Sequence, residues 1–299
     1  MRNKAGKYNL KFDKTINLWD EAIPLGNGKC GCLIYEQNPL RFAIDRIDLW
    51  DSREADSAKR KDFTYQTLID MITKKEEGYW AKKKAFFESE LRLKPYPTKL
   101  TCARLEFDFD SKVKNVISFL DIEKAVSDID VLLENNEKVK VQSFMSATKF
   151  IGIVKIDGNY KLNIHAPDYI YKRDGVEYKE ITDPDVAASL LVNDIFNLDY
   201  PKPIMSSQDG FTVYTQRTHT DYEYSLVIYT KKIDGQSILY YDVVTNKDFD
   251  DYIEVTKNRL KDLAEMGYDA FSRLLSGISI CDFFQYFFHH KACSFSKAS

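Results

Sequence analysis

The sequence predicts a mainly β fold: a large antiparallel β-sandwich (a super-sandwich) with a small helical insertion and a C-terminal linker helix. Three observations carry this. Apolar and polar residues alternate with period two along most of the chain, Gly-containing turns break the runs at short intervals, and only two stretches show helical spacing. The predicted sandwich domain spans 1–245, with its β core from about residue 7, and a helical linker with an atypical tail fills 246–299. Of 299 residues, 44% are hydrophobic. A chain of this size buries a sizeable core without disulfide or metal staples.

The elements follow in order. Ile23-Pro24-Leu25 and Cys32–Tyr35 flank a glycine-rich turn, and a strand through Phe42 and Ile44 comes next. Its alternation puts Phe42 and Ile44 on one face, with Ala43 and Asp45 on the other. Tyr65, Leu68, Ile69 and Ile72 keep the i, i+3, i+4, i+7 rule, so a helical insertion is expected near 64–90, with Gly78 as a stop. Half-buried strands then read through Leu105, Phe107 and Phe109; through Val139, Val141 and Met145; and through Tyr160, Leu162 and Ile164. Tyr222, Tyr224, Leu226 and Ile228 share another face, and the run from Ser237 to Val244 continues it. Asp157-Gly158-Asn159, Asp209-Gly210 and Asp234-Gly235 separate the runs as turns. The second helix is expected from about Asp248 to Met266, with Phe249, Tyr252, Ile253, Leu260 and Leu263 on one face and Gly267 after its end. The final stretch fits neither period: Cys281–Phe288 packs four Phe and a Tyr into eight positions. It reads either as a buried terminal helix or as the mark of a chain that stops early.

Composition excludes some functions. Lys and Arg number 43 against 46 Asp and Glu, a net charge of -3, which is no phosphate-tracking surface. No nucleic-acid partner is expected. No apolar segment is long enough to span a membrane and no signal-peptide core follows the N-terminus, so a cytoplasmic protein with its five cysteines reduced is expected.

Gly26-Asn-Gly28-Lys-Cys-Gly31 matches G-x-G-x-x-G literally, but no helix opens after Gly31 to hold a pyrophosphate. It is read as a tight turn whose glycines take positive φ, and no nucleotide or other cofactor is expected. Cys30-Gly-Cys32 lacks a second pair at zinc spacing, and His289-His290 with Cys293 is equally weak, so no metal is expected. His165 and His219 read as structural histidines. Asp128 with Asp130 and Asp183 with Asp185 read as exposed strand and turn carboxylates, so no catalytic dyad emerges. The candidate substrate-binding residues are Asp45, Arg46, Asp48, Trp50 and Asp51, where charges gather at the end of an apolar run. An indole beside carboxylates and a guanidinium suits a sugar, the ring stacking on C–H faces while the ions take hydroxyls. The competing reading has Trp50 cap the core while the ions pair among themselves.

The segment Leu18–Tyr35, with Leu40–Asp51 after it, resembles the opening of the N-terminal domain of family 95 glycoside hydrolases, the inverting α-L-fucosidases, and of related enzymes with a family 65-like layout. The match runs through Trp19, Glu21, Ala22, Pro24, Leu25, Gly26, Asn27, Gly28 and Gly31. It departs where Ile44-Asp-Arg-Ile-Asp-Leu-Trp50 replaces the family's Asn-Glu pair. The resemblance implies a large β-sandwich joined by a helical linker to an (α/α)6 barrel that holds the catalytic carboxylates. A carbohydrate ligand and a barrel partner domain follow from it, and no catalytic residue of the family falls on this chain. The expectation is a non-catalytic domain of an α-L-fucosidase-like glycoside hydrolase. The alternative is a free-standing carbohydrate-binding or scaffolding sandwich. A linker helix cut off from its barrel is expected to leave an apolar face exposed.

Overall fold

The computed structural model describes residues 5–14, 16–17, 21–54, 59–74, 78–83, 96–167, 198 and 200–268. After a 3-10 turn at Ala5–Tyr8 come β1 (Leu10–Phe12), β2 (Ile23–Gly26), β3 (Cys30–Tyr35), β4 (Leu40–Arg46) and β5 (Trp50–Asp51). The helices α1 (Tyr65–Lys74) and α2 (Tyr79–Lys83) precede β6 (Thr98–Lys99) and β7 (Ala103–Phe109). Four strands then meander: β8 (Val113–Asp121), β9 (Val126–Leu133), β10 (Lys138–Met145) and β11 (Gly152–Asp157). After β12 (Tyr160–His165) a second meander runs through β13 (Ile204–Gln208), β14 (Phe211–Arg217), β15 (Glu223–Ile233) and β16 (Gln236–Thr245), and α3 (Tyr252–Glu265) follows.

The fold is mainly β, and every strand pair is antiparallel. One sheet has nine strands in the order β1-β8-β9-β10-β11-β16-β15-β14-β13, the other five in the order β12-β7-β4-β3-β2. Strands β5 and β6 form a separate ribbon. The expected turns act in two ways. Asp209-Gly210 and Asp234-Gly235 close the β13–β14 and β15–β16 hairpins with both residues at positive φ, the geometry that matches strand twist. Asp157-Gly158-Asn159 instead carries the chain from β11 in the large sheet to β12 in the small one.

Alternation places the core as the sequence implies. Phe42, Ile44, Leu105 and Phe107 of the small sheet meet Val141, Leu226, Ile228 and Tyr241 of the large one, all essentially without solvent contact. Strand β16 departs from the one-faced pattern, being buried on both sides. Leu239, Tyr241 and Val243 enter the inter-sheet core, while Ile238, Tyr240 and Val244 enter a second core under α3. That helix presents Tyr252, Leu260, Leu263 and Ala264 to the outer face of the large sheet.

The expected exposed linker face is therefore corrected. Val227, Ile238 and Val244 make the outside of the sheet apolar, and Leu260 and Leu263 bury against it. Only the flank stays open: Phe249, ahead of the helix, is 46% exposed and Val255 is 43% exposed. The helix is also shorter than read, beginning at Tyr252, because Asp251 sits in the left-handed region as its N-cap. The helical insertion is seen as α1 and α2, whereas 84–90 lies outside the described residues, as do Asp183, Asp185 and the Phe-rich tail.

Two substitutions test this packing. Leu260→Ala should cost about 2–5 kcal/mol, as loss of a fully buried Leu does, read by urea unfolding. Gly152 lies opposite Tyr241, and an added Cβ would sit 2.0 Å from the ring. Gly152→Ala should therefore cost about 1–3 kcal/mol by overpacking, and Gly152→Ala with Tyr241→Leu should recover part of that loss in the same measurement.

Candidate functional site

The Gly26–Gly31 motif forms the β2–β3 turn. Asn27 is its keystone. Its Oδ1 accepts from the N–H groups of Lys29 and Cys30, at 3.1 and 2.9 Å, and its Nδ2 donates to the carbonyl of Ser146, just past the end of β10. Of the three glycines only Gly28 takes positive φ, which corrects the expectation for Gly26 and Gly31. Those two lie in extended strands directly opposite each other. Cys30 and Cys32 are buried free thiols, each pushed up to about 12, Cys30 by burial and the nearby Asp242 and Cys32 by burial.

The turn delivers Lys29 to Asp242, whose side chain has no solvent contact. Arg259 of α3 reaches the same carboxylate from the other side. Burial pushes the Asp242 carboxyl above the usual carboxylate range, while Lys29 and Arg259 pull it back.

The five sequence-selected residues do not form one patch. Arg46 keeps the parity of Phe42 and Ile44 and turns inward with them. It pairs with Asp48, its Nε 2.6 Å from Oδ1, and with Asp248, and it donates to the carbonyl of Val243. Burial opposes its charge, but Asp248 and Asp48 outweigh that and hold its pKa above the ordinary arginine value. Burial would raise Asp48 and Asp248, yet Arg46 holds both below the usual carboxylate range. Asp51 is buried separately, accepting from Arg53 and from the hydroxyl of Tyr200. Arg53 lies over the Tyr96 ring at 4.0 Å. Asp45 points to the opposite face of the small sheet, 2.7 Å from Lys99 Nζ. Lys99 is the cross-strand partner of Trp50, so Trp50 adjoins the Asp45–Lys99 pair. Trp50 does not cap the core. It is 50% exposed, with its indole N–H held by the carbonyl of Ile47.

Asp45 also lines a groove of about 710 Å³ on the outer face of the small sheet. Strand register lays out the sheet face on which it lies. Gly26 and Gly31 stand in the row of Asp45, and Pro24, Leu33, Ala43, Arg104 and His165 form the adjacent row across all five strands. In the next row Arg41 and Glu106 are partners. Glu106, nearly buried, accepts from Arg41 Nε and Arg104 Nε at 2.9 Å, and His165 Nε2 lies 3.2 Å from its second oxygen. Sequence reading set His165 aside and missed Arg41, Arg104 and Glu106. Three strands that are not consecutive in the chain bring these together, and no local spacing signals it.

Among the described residues no cluster of three or more His, Cys, Asp or Glu could hold a metal. Asp128 is exposed on β9 and accepts from Gln142 across the strand pair. Among the described residues no helix is long and apolar enough to cross a membrane. No protein-family model matches the chain, and no curated protein matches it.

The lowered Asp48, Asp51 and Asp248 set an acid limit. A depressed folded-state pKa contributes stability that is complete above the unfolded value of about 3.9 and is lost as pH falls through the folded value. Melting temperature should hold from pH 7 to about 5 and fall steeply below about 4. Arg46→Met should cost about 3 kcal/mol, since it strands Asp248 in a largely buried site, and should flatten the acid limb of a Tm-against-pH curve.

Proposed function

We propose that this chain is the non-catalytic β-sandwich domain of a carbohydrate-active protein of the glycoside hydrolase kind, α-L-fucosidase-like, which contacts glycan while a separate barrel performs hydrolysis. The observation that carries the reading is Trp50, half exposed, its ring fixed by the bond to Ile47 and set beside the Asp45–Lys99 pair. A fixed indole offers a flat apolar face at low entropic cost, and an adjoining carboxylate and ammonium offer hydroxyls an acceptor and a donor. The sandwich fold agrees with the resemblance of residues 18–51 to the opening of such domains.

The non-catalytic role is supported by the state of the carboxylates. Inverting hydrolysis needs one protonated acid and one base about 6.5–9.5 Å apart around a water. Asp45, Asp48, Asp51 and Glu106 are each engaged by a cation. Asp48 and Asp51 are held below the usual range, the wrong direction for an acid. Asp242 is shifted upward but has no exposure to substrate.

Fucosylated and other neutral oligosaccharides titrated into the protein should shift tryptophan emission with affinity in the range of about 0.1–1 mM, weak as befits one stacking ring. Trp50→Ala should weaken binding at least tenfold with little change in stability. Unchanged affinity in that variant would remove the site, and turnover of aryl α-L-fucosides lost on changing one carboxylate within 1–245 would overturn the non-catalytic role. The second reading, a free-standing carbohydrate-binding sandwich, rests on the same ring, and the sequence downstream of codon 299 separates the two.

A further inference from the structure

The groove on the outer face of the small sheet shares Asp45 with the Trp50 surface but adds a cationic end of its own at Arg104 and His165. Across it runs the row Leu33, Ala43, Arg104, His165, each the cross-strand neighbour of the next. Strands lie about 4.8 Å apart, so the row turns cationic at Arg104 one strand beyond its apolar pair. Gly31 lowers the floor beside that apolar stretch. It does not need its freedom of φ, and a Cβ on it meets only a carbonyl oxygen at 3.7 Å. The absence of a side chain there opens space and is not required by the turn.

The polar end is pre-organised. Glu106, with its side chain 7% exposed, fixes Arg104 through Nε and Nη2 and holds His165 at 3.2 Å. Both contacts of Arg104 use one oxygen of Glu106, which leaves its Nη1 amino group uncommitted among the described residues. Glu106 is also shared with Arg41. Asp45, which also lines the groove, is paired with Lys99, and an arginine with a spare edge beside a histidine suits a carboxylate.

We infer that this groove binds a small amphipathic carboxylate, its apolar chain lying across Leu33 and Ala43 and past Gly31, and its carboxylate meeting Arg104 and His165. The site is independent of the carbohydrate reading and survives its failure.

The test is calorimetric titration of the full chain with decanoate and decyltrimethylammonium below their micelle concentrations and with decanol below its solubility limit. Decanoate should bind at least tenfold more tightly than decanol, and the cation should not bind. From hexanoate to decanoate affinity should rise about two- to fourfold per CH₂, as partial burial of each group requires. Arg104→Gln should erase the preference of decanoate over decanol, since Glu106 keeps Arg41 and His165 in that variant. Gly31→Leu, which the backbone accommodates, should fill the groove and abolish binding of both. Equal affinity for decanoate and decanol, no binding of either, a preference for the cation, or decanoate binding untouched by Gly31→Leu would each overturn the inference. So would displacement of decanoate by a neutral oligosaccharide, which would make the groove a glycan surface.

Discussion

One buried carboxylate constrains the rest of the structure. Asp242 sits in the middle of β16 with no solvent contact, and its two cations come from different layers: Lys29 from the turn of the small sheet, Arg259 from α3. Desolvating a lone carboxylate costs several kcal/mol after relaxation, so position 242 is tolerable only when both partners are in place. Two sheets and a helix are thereby held to a common point. The requirement is directional in a way that apolar packing is not, because Lys29 reaches Asp242 only if the Asn27-centred turn has its bonds to Lys29, Cys30 and Ser146.

The neighbouring network repeats this logic one turn further along. Arg46 enters from the end of β4, spans to Asp248 ahead of the helix, and bonds the carbonyl of Val243 on the way. Strand β11 pairs with β16 only as far as Tyr241. Beyond that point Arg46 bonds the carbonyl of Val243 and Lys29 pairs with the Asp242 side chain. The glycine-rich motif is thus explained by architecture: it is the turn between two paired strands of the small sheet, anchored to Ser146 through Asn27.

Much of this was legible in the sequence, and the failures have physical causes. Alternation at Phe42 and Val141 identified the inward faces because those strands have one wetter side. It under-described β16, where Ile238 and Leu239 point to different cores, because a continuous apolar run carries no period. The same run held an unread signal, a single aspartate among buried neighbours, which demands partners whose identity only the fold reveals. Arg46 was readable from its parity with Ile44, and was misplaced because charge was taken to mean exposure. The cluster at Glu106 was beyond reach, since β4, β7 and β12 meet by long-range pairing.

A strand that is a wall of two cores has no side on which to fray. The amides of β16 are shielded by β11 and β15 in the plane, by the small sheet beneath and by α3 above. Solvent can reach their middle only when one of those layers has already departed, so exchange of these protons with deuterium reports the global opening of the molecule and not a local one. The edge strand β13, exposed along its whole length, reports the opposite extreme. The sheet therefore carries its own gradient of cooperativity, from a rim that breathes to a centre that opens only with everything else.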